Sequence, residues 1–317
     1  MTQPAQPWTG LENVGPDKPL KFRRRVAALL YSGRPKTALK LANSALEAEI
    51  SPNGRSKQQI QKIGADAALF TGDVKPYLQY SQKVRAEFPL QGEATLENLI
   101  AGKCVAIVGS ADTGDTLGEI IDGFDVVVRA QYDPEFVSSS PSSLGSRTDV
   151  AYYSGRDLGA VLGELPGIVE SGGLKFVVAR AGDYTRHPEL LEEGDAPCLR
   201  FYRHECSLYF HGRPLGVPRM VYDLLQFQPA EIGLFNIDLY SGQRWFAEGY
   251  RAREQSAFGP HSIMNDLLIV HDLLTDFRFL KAVKRSGVLV GYGASQRVLA
   301  LTEDEYVTQL EKGGVFV

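Results

Sequence analysis

Cysteine is scarce in this chain of 317 residues: only Cys104, Cys198 and Cys206 occur. They offer neither an even count for a disulfide framework nor the paired spacing of a thiolate metal site, so a reducing cytoplasm is the expected compartment. Long hydrophobic runs are missing too. No stretch approaches the roughly 20 consecutive apolar residues of a membrane span, which argues against an integral membrane segment. The opening "MTQPAQPWTGLENVGPDKPL" lacks a basic region followed by an apolar stretch, so a cleaved secretion signal is not expected. Positive charge is not in excess, and a formal net charge of -4 argues against nucleic acid as the main partner. The GxGxxG and P-loop spacings are absent as well, which disfavours a simple nicotinamide-dependent enzyme and a generic triphosphate site.

What is present is the composition of a globular chain, with 44% hydrophobic and 23% charged residues, long enough for two unequal cores. From Lys18 to about Glu87 the pattern is helical and broken by turns. "LYSGRPK" around Gly33 pairs with "LFTGDVK" around Gly72 at an offset of 39 residues, as expected for stacked helical hairpins. Residues 1–95 are therefore expected to form a small helical domain. It resembles tetratricopeptide units, although the period is longer than theirs, and unrelated hairpins fit equally well.

Residues 96–317 read differently. "CVAIVG", "FDVVVRA", "TDVAYYS", "LKFVVAR", "EIGLFNI" and "GVLVGYG" are short apolar runs rich in valine, separated by helical or turn stretches. Continuous rather than alternating apolar character predicts strands covered on both faces, hence an α/β domain with a mostly parallel sheet. The run Ser138 to Ser143, "SSSPSS", is expected to be loop.

The first strand ends at Gly109. A loop at the carboxyl end of a parallel strand is the usual place for a ligand, and Gly109, Ser110 and Ala111 are the expected cradle for a phosphate or nucleotide. A tight strand-to-helix turn is the plainer alternative. "DTGD", Asp112 to Asp115, supplies two carboxylates but no third ligand, so no metal site is expected.

"KCVAIVGSADTGDTLGEIIDGFDVVVRAQ" followed by "LGSRTDVAYYSGR" resembles the large motif of the sialyltransferase family that carries large, small and very small sialyl motifs. Cys104, Gly109, Asp125, Arg129 and Gln131 occupy matching places, while Ser110 and Gln131 stand where the family usually has asparagine. "YFHGRPLGVPRMVYDLLQFQPAEIGLFNID" resembles the small motif through His211, Gly212, Arg213 and Pro214, with "PLGV" in place of the usual turn. The cysteine that bridges to the large motif in animal members has no counterpart near Pro229, so Cys104 is expected to be free. "HDLLTD" resembles the very small motif, with His271 and Asp276 at its spacing. "HSIMND", from His261 to Asp266, has the same bare spacing, but the helix and strand after His271 fit better.

The resemblance covers roughly Cys104 to Gly293. It implies a divergent bacterial member with a Rossmann-like, variant GT-A sheet. The implied activity is an inverting glycosyltransferase that uses no metal and takes sialic acid, Kdo or a related acid from a CMP-activated donor. The acceptor would be a glycan or a lipid-linked glycan, placing the chain in the cytoplasm or peripherally at the inner membrane face. No separate cofactor is implied. Donor contacts would fall to Gly109, Ser110, Ala111, Arg129, Gln131, Arg213 and Gly216.

Sugar transfer needs a base for the acceptor hydroxyl, and an imidazole near its ordinary pKa of about 6.5 suits that task. His271 is the candidate base, with Asp272 or Asp276 to orient it; an ordinary helix-terminal histidine is the alternative. The departing phosphate needs a donor, for which His211 and Arg213 are candidates. His211 can equally be a turn residue packed on Phe210. Arg129 and Arg147 can serve a ligand or a structural ion pair. Tyr240, Trp245, Phe246 and Tyr250, mixed with Gln243, Arg244, Arg251 and Arg253, suggest a lid or acceptor wall, and a packed surface helix plus loop fits them equally well. Two other classes suit the same residues: a nucleotide-binding module without transfer activity, and a scaffold whose N-terminal helices recruit a protein partner.

Overall fold

The computed structural model describes residues 19–47, 54–153, 158–159, 163–180, 198–242, 246–247, 249–250 and 270–313. Helices α1 (Pro19–Tyr31), α2 (Pro35–Glu47), α3 (Gly54–Leu69) and α4 (Lys75–Glu87) form two hairpins, and α5 (Glu93–Ile100) follows. The sequence repeat reappears in the backbone. Gly33 and Gly72 have φ of +69° and +87°. In the first turn Gly33 donates to Leu30 and Arg34 to Leu29; in the second Gly72 donates to Leu69 and Asp73 to Ala68. A left-handed residue lets the N–H groups fold back onto the last helical carbonyls, and glycine adopts that conformation without a Cβ clash.

The next elements are β1 (Cys104–Val108), α6 (Gly118–Asp122), β2 (Val126–Ala130), α7 (Pro134–Ser139), α8 (Pro141–Leu144), β3 (Val150–Tyr153), α9 (Leu165–Glu170), β4 (Phe176–Ala179) and β5 (Leu199–Phe201). They are followed by α10 (Gly216–Leu225), β6 (Glu231–Phe235), α11 (Leu273–Lys284), β7 (Leu289–Gly291), α12 (Ala294–Val298) and α13 (Glu303–Lys312). The strands form one seven-stranded sheet in the order β5-β4-β3-β2-β1-β6-β7, and every pairing is parallel. The fold is thus α/β with a parallel sheet. The chain winds outward from β1 to β5, then returns to lay β6 on the other side of β1. That reversal opens a crevice between the loops that follow β1 and β6.

Both faces of the sheet are covered, which explains the continuous apolar runs. Val105 and Ile107 belong to the large core shared with α10 and α11, whereas their neighbours Ala106 and Val108 pack on the opposite face with Ile121, Phe124 and Phe136. The six apolar runs singled out in the sequence each contain a strand. β5 escapes that pattern because Arg200 interrupts it. Arg200 is buried all the same, since Nη1 and Nη2 each donate to Asp223 at 2.6 Å.

Two expectations need correction. "SSSPSS" is not loop: it straddles α7 and α8, which begin at Pro134 and Pro141. Asp133 caps α7 by accepting from Phe136 N–H at 2.9 Å, and Phe136, Val137 and Leu144 give these short helices an apolar underside. Residue 95, taken as a boundary, falls inside α5. Apolar residues of α1 to α4, such as Val26, Ala42, Leu69 and Tyr77, share one continuous core with Val105, Leu224 and Phe279. Buried polar contacts join the same parts. Asp66 of α3 accepts from Lys62 at 2.6 Å, Tyr222 of α10 at 2.7 Å and the Ser207 hydroxyl at 2.6 Å.

Candidate active site

A pocket of about 510 Å³ opens at the carboxyl edge of the sheet, in the crevice created by the strand reversal. That volume is in the range of small-molecule sites. The seven residues expected to contact a donor, Gly109, Ser110, Ala111, Arg129, Gln131, Arg213 and Gly216, all line it, and so does His271.

Gly109 is required by packing. A Cβ there would lie 2.3 Å from the Asn236 carbonyl oxygen, in the loop after β6. Its N–H is already given to Phe235 at 2.8 Å, and that of Ala111 to Asn236 at 3.3 Å. The expected cradle of consecutive N–H groups therefore narrows to Ser110, whose N–H has no hydrogen-bond partner among the described residues. Gln131 sits at the end of β2 with φ of +68°, a costly conformation for a residue bearing a Cβ. Its N–H is held by the Tyr152 carbonyl at 2.9 Å.

Arg129 lines the pocket, but its guanidinium is committed elsewhere. It donates to the Thr148 hydroxyl at 3.1 Å and to the carbonyls of Leu144 and Arg147. Burial pulls its pKa down to about 10, so it remains a cation beneath the site at neutral pH. Arg147 and Asp149 are structural. Arg147 donates to the Phe124 carbonyl, and Asp149 accepts from Val127 N–H at 2.8 Å and pairs with Lys175 at 2.8 Å.

His271 immediately precedes the N-cap of α11. Nδ1 lies 2.8 Å from the carbonyl oxygen of Arg213. A carbonyl can only accept, so Nδ1 carries the proton and Nε2 keeps its lone pair. Burial lowers the His271 pKa, and the nearby Arg219, Arg180 and Arg213 push in the same direction against the Arg213 carbonyl. The imidazole is accordingly neutral at pH 7, with one nitrogen free to take a proton. The residue that orients it differs from both candidates. Asp272 caps its own helix, accepting from Thr275 N–H at 3.0 Å and Thr275 Oγ1 at 2.6 Å. Asp276 is wholly buried and accepts from Tyr209 Oη at 2.5 Å and Leu215 N–H at 3.1 Å. Burial raises its pKa well above the usual carboxylate range. Asp276 thus fixes the residue that begins α10 and touches neither His271 nor the pocket.

His211 stands apart from the pocket lining. Its ring makes edge contacts with Tyr31 and Phe210, at centroid distances of 5.0 and 4.7 Å. The His-Gly-Arg run still matters through its other two members. Gly212, with φ of +60°, passes so near the Val270 carbonyl that a Cβ would sit 2.1 Å from it. That close passage lets Arg213 N–H donate to Val270 at 2.7 Å and form a parallel bridge with His271. The bridge sets the imidazole.

N–H donors and guanidinium groups gather next to it. The first N–H groups of α10, on Gly216 and Val217, have no side-chain cap, because Leu215 occupies the N-cap position. Arg213 is exposed and its side chain makes no ion pair with a described residue. Arg180 and Arg219 share one carboxylate, Glu205, at 3.0 and 3.3 Å. Burial would raise the Glu205 pKa, but the two guanidiniums outweigh it and hold the carboxyl below its usual range. Among the described residues, one negative charge stands against three arginines on this wall of the pocket.

The sequence reading missed Arg180, Arg219, Tyr153, Asn236 and Asp238, all of which line the pocket. Arg180 and Asn236 each directly follow a strand, so the carboxyl-edge rule applied to every strand finds them; Arg219, within α10, carries no such signal. Asn236, with φ of +52°, ties three segments together. It donates to the Ser143 carbonyl at 2.8 Å and accepts from Thr113 Oγ1 at 3.1 Å. Asp238 is held by Tyr240 and Gly242 N–H groups at 2.9 and 3.2 Å, and burial raises its pKa.

Tyr240, Phe246 and Tyr250 also line the pocket, with Phe246 and Tyr250 rings 5.2 Å apart. Gln243, Arg244, Trp245, Arg251, Arg253, His261 and Asp266 lie outside the described residues. Of the two carboxylates of "DTGD", Asp115 accepts from Ala294 N–H at 2.6 Å and pairs with Arg297 at 3.1 Å. Among the described residues, no group of three or more His, Cys, Asp or Glu side chains is placed to hold a metal ion. The three cysteines are free, and no described helix is long and apolar enough to cross a membrane.

No family model matches the chain, and no curated protein matches it. Among solved structures it is similar to the sialyltransferase CstII from Campylobacter jejuni in complex with the substrate analogue CMP-3FNeuAc. Identity is 15%, coverage is 60% of this chain and 82% of that one, and the TM-score is 0.44. It is also similar to the monofunctional alpha-2,3-sialyltransferase Cst-I from Campylobacter jejuni, with 12% identity, 59% and 74% coverage and a TM-score of 0.42. A third is an alpha-2,3-sialyltransferase from Campylobacter jejuni in apo form, with 12% identity, 62% and 78% coverage and a TM-score of 0.41. Likeness of this degree leaves the function to be argued from the pocket itself.

Proposed function

We propose that the chain is an inverting glycosyltransferase that moves sialic acid, Kdo or a related sugar acid from a CMP-activated donor to a glycan hydroxyl. One observation carries this reading: in a single pocket, a neutral histidine whose Nδ1 is held by a carbonyl stands beside an uncapped helix N-terminus and an arginine that makes no ion pair among the described residues. That combination suits a reaction in which one group loses a proton while a phosphate gains charge.

The acceptor oxygen attacks the anomeric carbon and His271 Nε2 takes its proton. The bond from that carbon to the phosphate oxygen breaks, and CMP departs with the electron pair. The N–H groups of Gly216 and Val217, together with Arg213, meet the charge that develops on the phosphate, the task the metal-independent reading assigns to protein groups. The nucleoside lies toward Ser110, Gln131 and Tyr153, and the acceptor toward Tyr240, Phe246 and Tyr250. The order of the sequence motifs from Cys104 to Gly293 supports cytidine as the nucleoside.

The test is a calorimetric titration with CMP-sialic acid, CMP-Kdo and several uridine and guanosine sugars, followed by turnover measurements on the best ligand. Cytidine-selective binding and donor turnover that His271→Ala abolishes are expected. Binding without turnover by the parent chain would leave a nucleotide-binding module instead, and absence of cytidine preference would end the proposal.

A further inference from the structure

The hairpin formed by α1 and α2 is set apart by charge. Between Pro19 and Glu47 it contains seven cations and a single acid, Glu47, in a chain whose formal net charge is -4. Lys21, Arg23, Arg24, Arg34, Lys36 and Lys40 are exposed, and none makes an ion pair with another described residue. Phe22, Val26 and Leu30 of α1 are buried in the core. Arg24 and Tyr31 are seven residues apart, two helical turns, and so share a face of α1. Lys36 and Lys40 are likewise stacked on α2.

This basic surface is continuous with an apolar rim beside the pocket. Tyr31, Phe210 and Val270 are 40%, 37% and 42% exposed. Tyr31 and Phe210 stack at 5.6 Å, and His211 wedges against both. Val270 is both part of that rim and part of the pocket lining. Cations flanking exposed aromatic and aliphatic side chains are the combination that binds an interface with charged headgroups over hydrocarbon.

We propose that this face docks on an anionic lipid surface through Lys21, Arg23, Arg24, Lys36 and Lys40, with Tyr31 and Phe210 entering the headgroup layer. Charge complementarity selects the occupant. A planar anionic surface meets only the hairpin and the rim, whereas an extended polyanion that ran beyond the hairpin would meet the acidic remainder of the chain. Under the transferase reading, on which this part depends, docking turns the pocket mouth beside Val270 toward an acceptor held at the membrane, so the acceptor is a lipid-linked glycan.

The experiment is cosedimentation of the full chain with vesicles of phosphatidylcholine alone and with vesicles that also contain phosphatidylglycerol. Binding to the mixed vesicles only, weakened by salt, is expected. Each cation lost weakens such partitioning about fivefold, so Arg23→Glu with Arg24→Glu lowers it by at least about 25-fold. Lys36→Glu with Lys40→Glu gives an independent reduction of similar size if the first pair fails to fold. Tyr31→Ser with Phe210→Ser removes the portion of binding that survives high salt. Thermal melts and CMP titration of these variants should match the parent chain, which separates docking from donor binding. Equal sedimentation with both vesicle types, no sedimentation with either, undiminished binding by the charge-reversed variants, or tighter capture of single-stranded RNA than of mixed vesicles would each overturn the proposal.

Discussion

The two ends of α10 hold charged systems of opposite design. Toward its carboxyl end, Asp223 receives Arg200 through two hydrogen bonds of 2.6 Å, Tyr152 at 2.7 Å and the Gln226 amide at 2.7 Å. All four side chains are buried, and each charge is answered within the protein. At its amino end the helix has no side-chain cap, Arg213 meets no carboxylate among the described residues, and Arg180 and Arg219 divide one glutamate. A closed system spends its electrostatic energy on fixing β5 and α10 to each other. An open one leaves donors unsatisfied until a ligand arrives, which is how a binding site differs from a structural network built of the same residue types.

Asp223→Ala gives the largest expected effect on this contrast. It leaves the fully buried Arg200 without its counter-ion, a loss of about 3 to 5 kcal/mol, to be read as a lower denaturant midpoint at unchanged slope. A loss smaller than Arg213→Ala causes would erase the distinction between the two ends. His271→Ala tests the open end. Turnover should fall about 100- to 10,000-fold, the usual contribution of a positioned base, while CMP affinity and thermal stability hold. A parallel fall in CMP affinity would make the histidine a binding group instead.

Arg213→Ala sharpens the comparison further. Removing a charge-assisted contact to phosphate should weaken CMP binding about 10- to 100-fold and leave cytidine binding untouched, as two titrations would reveal. The smallest effect is on pH. His271 must be neutral to act, and its pKa lies below the ordinary 6.5 because burial disfavours the cation. As pH falls through that lowered value Nε2 gains a proton and the base is lost, so the acid limb of kcat/KM should fall below pH 6.5. A limb at or above 6.5 in the parent that vanishes in an active His271 variant would contradict the neutral assignment.

Much of this was legible from periodicity. Six strands announced themselves because a strand buried on both faces must be apolar at every position, and the hairpin glycines marked their turns because a left-handed residue there tolerates no Cβ cheaply. β5 was hidden because Arg200 owes its burial to Asp223, a residue 23 positions away that no local pattern connects to it. The short helices at Ser138 to Ser143 were hidden because their proline starts matter more than their serines.

The site divides in the same way. Sequence alone determined which loops line the pocket, since a parallel strand delivers its carboxyl end to one edge of the sheet and the residues just beyond it to that edge. It also picked out His271 as the candidate base. What only the tertiary structure decided is who serves whom. The imidazole is oriented by the carbonyl of Arg213, a backbone atom every residue possesses and no sequence can single out. Asp276 and His211 bear side chains suited to chemistry, yet packing turns one into a buried anchor for α10 and the other into part of an aromatic rim, because a side chain's role is fixed by the neighbours it meets.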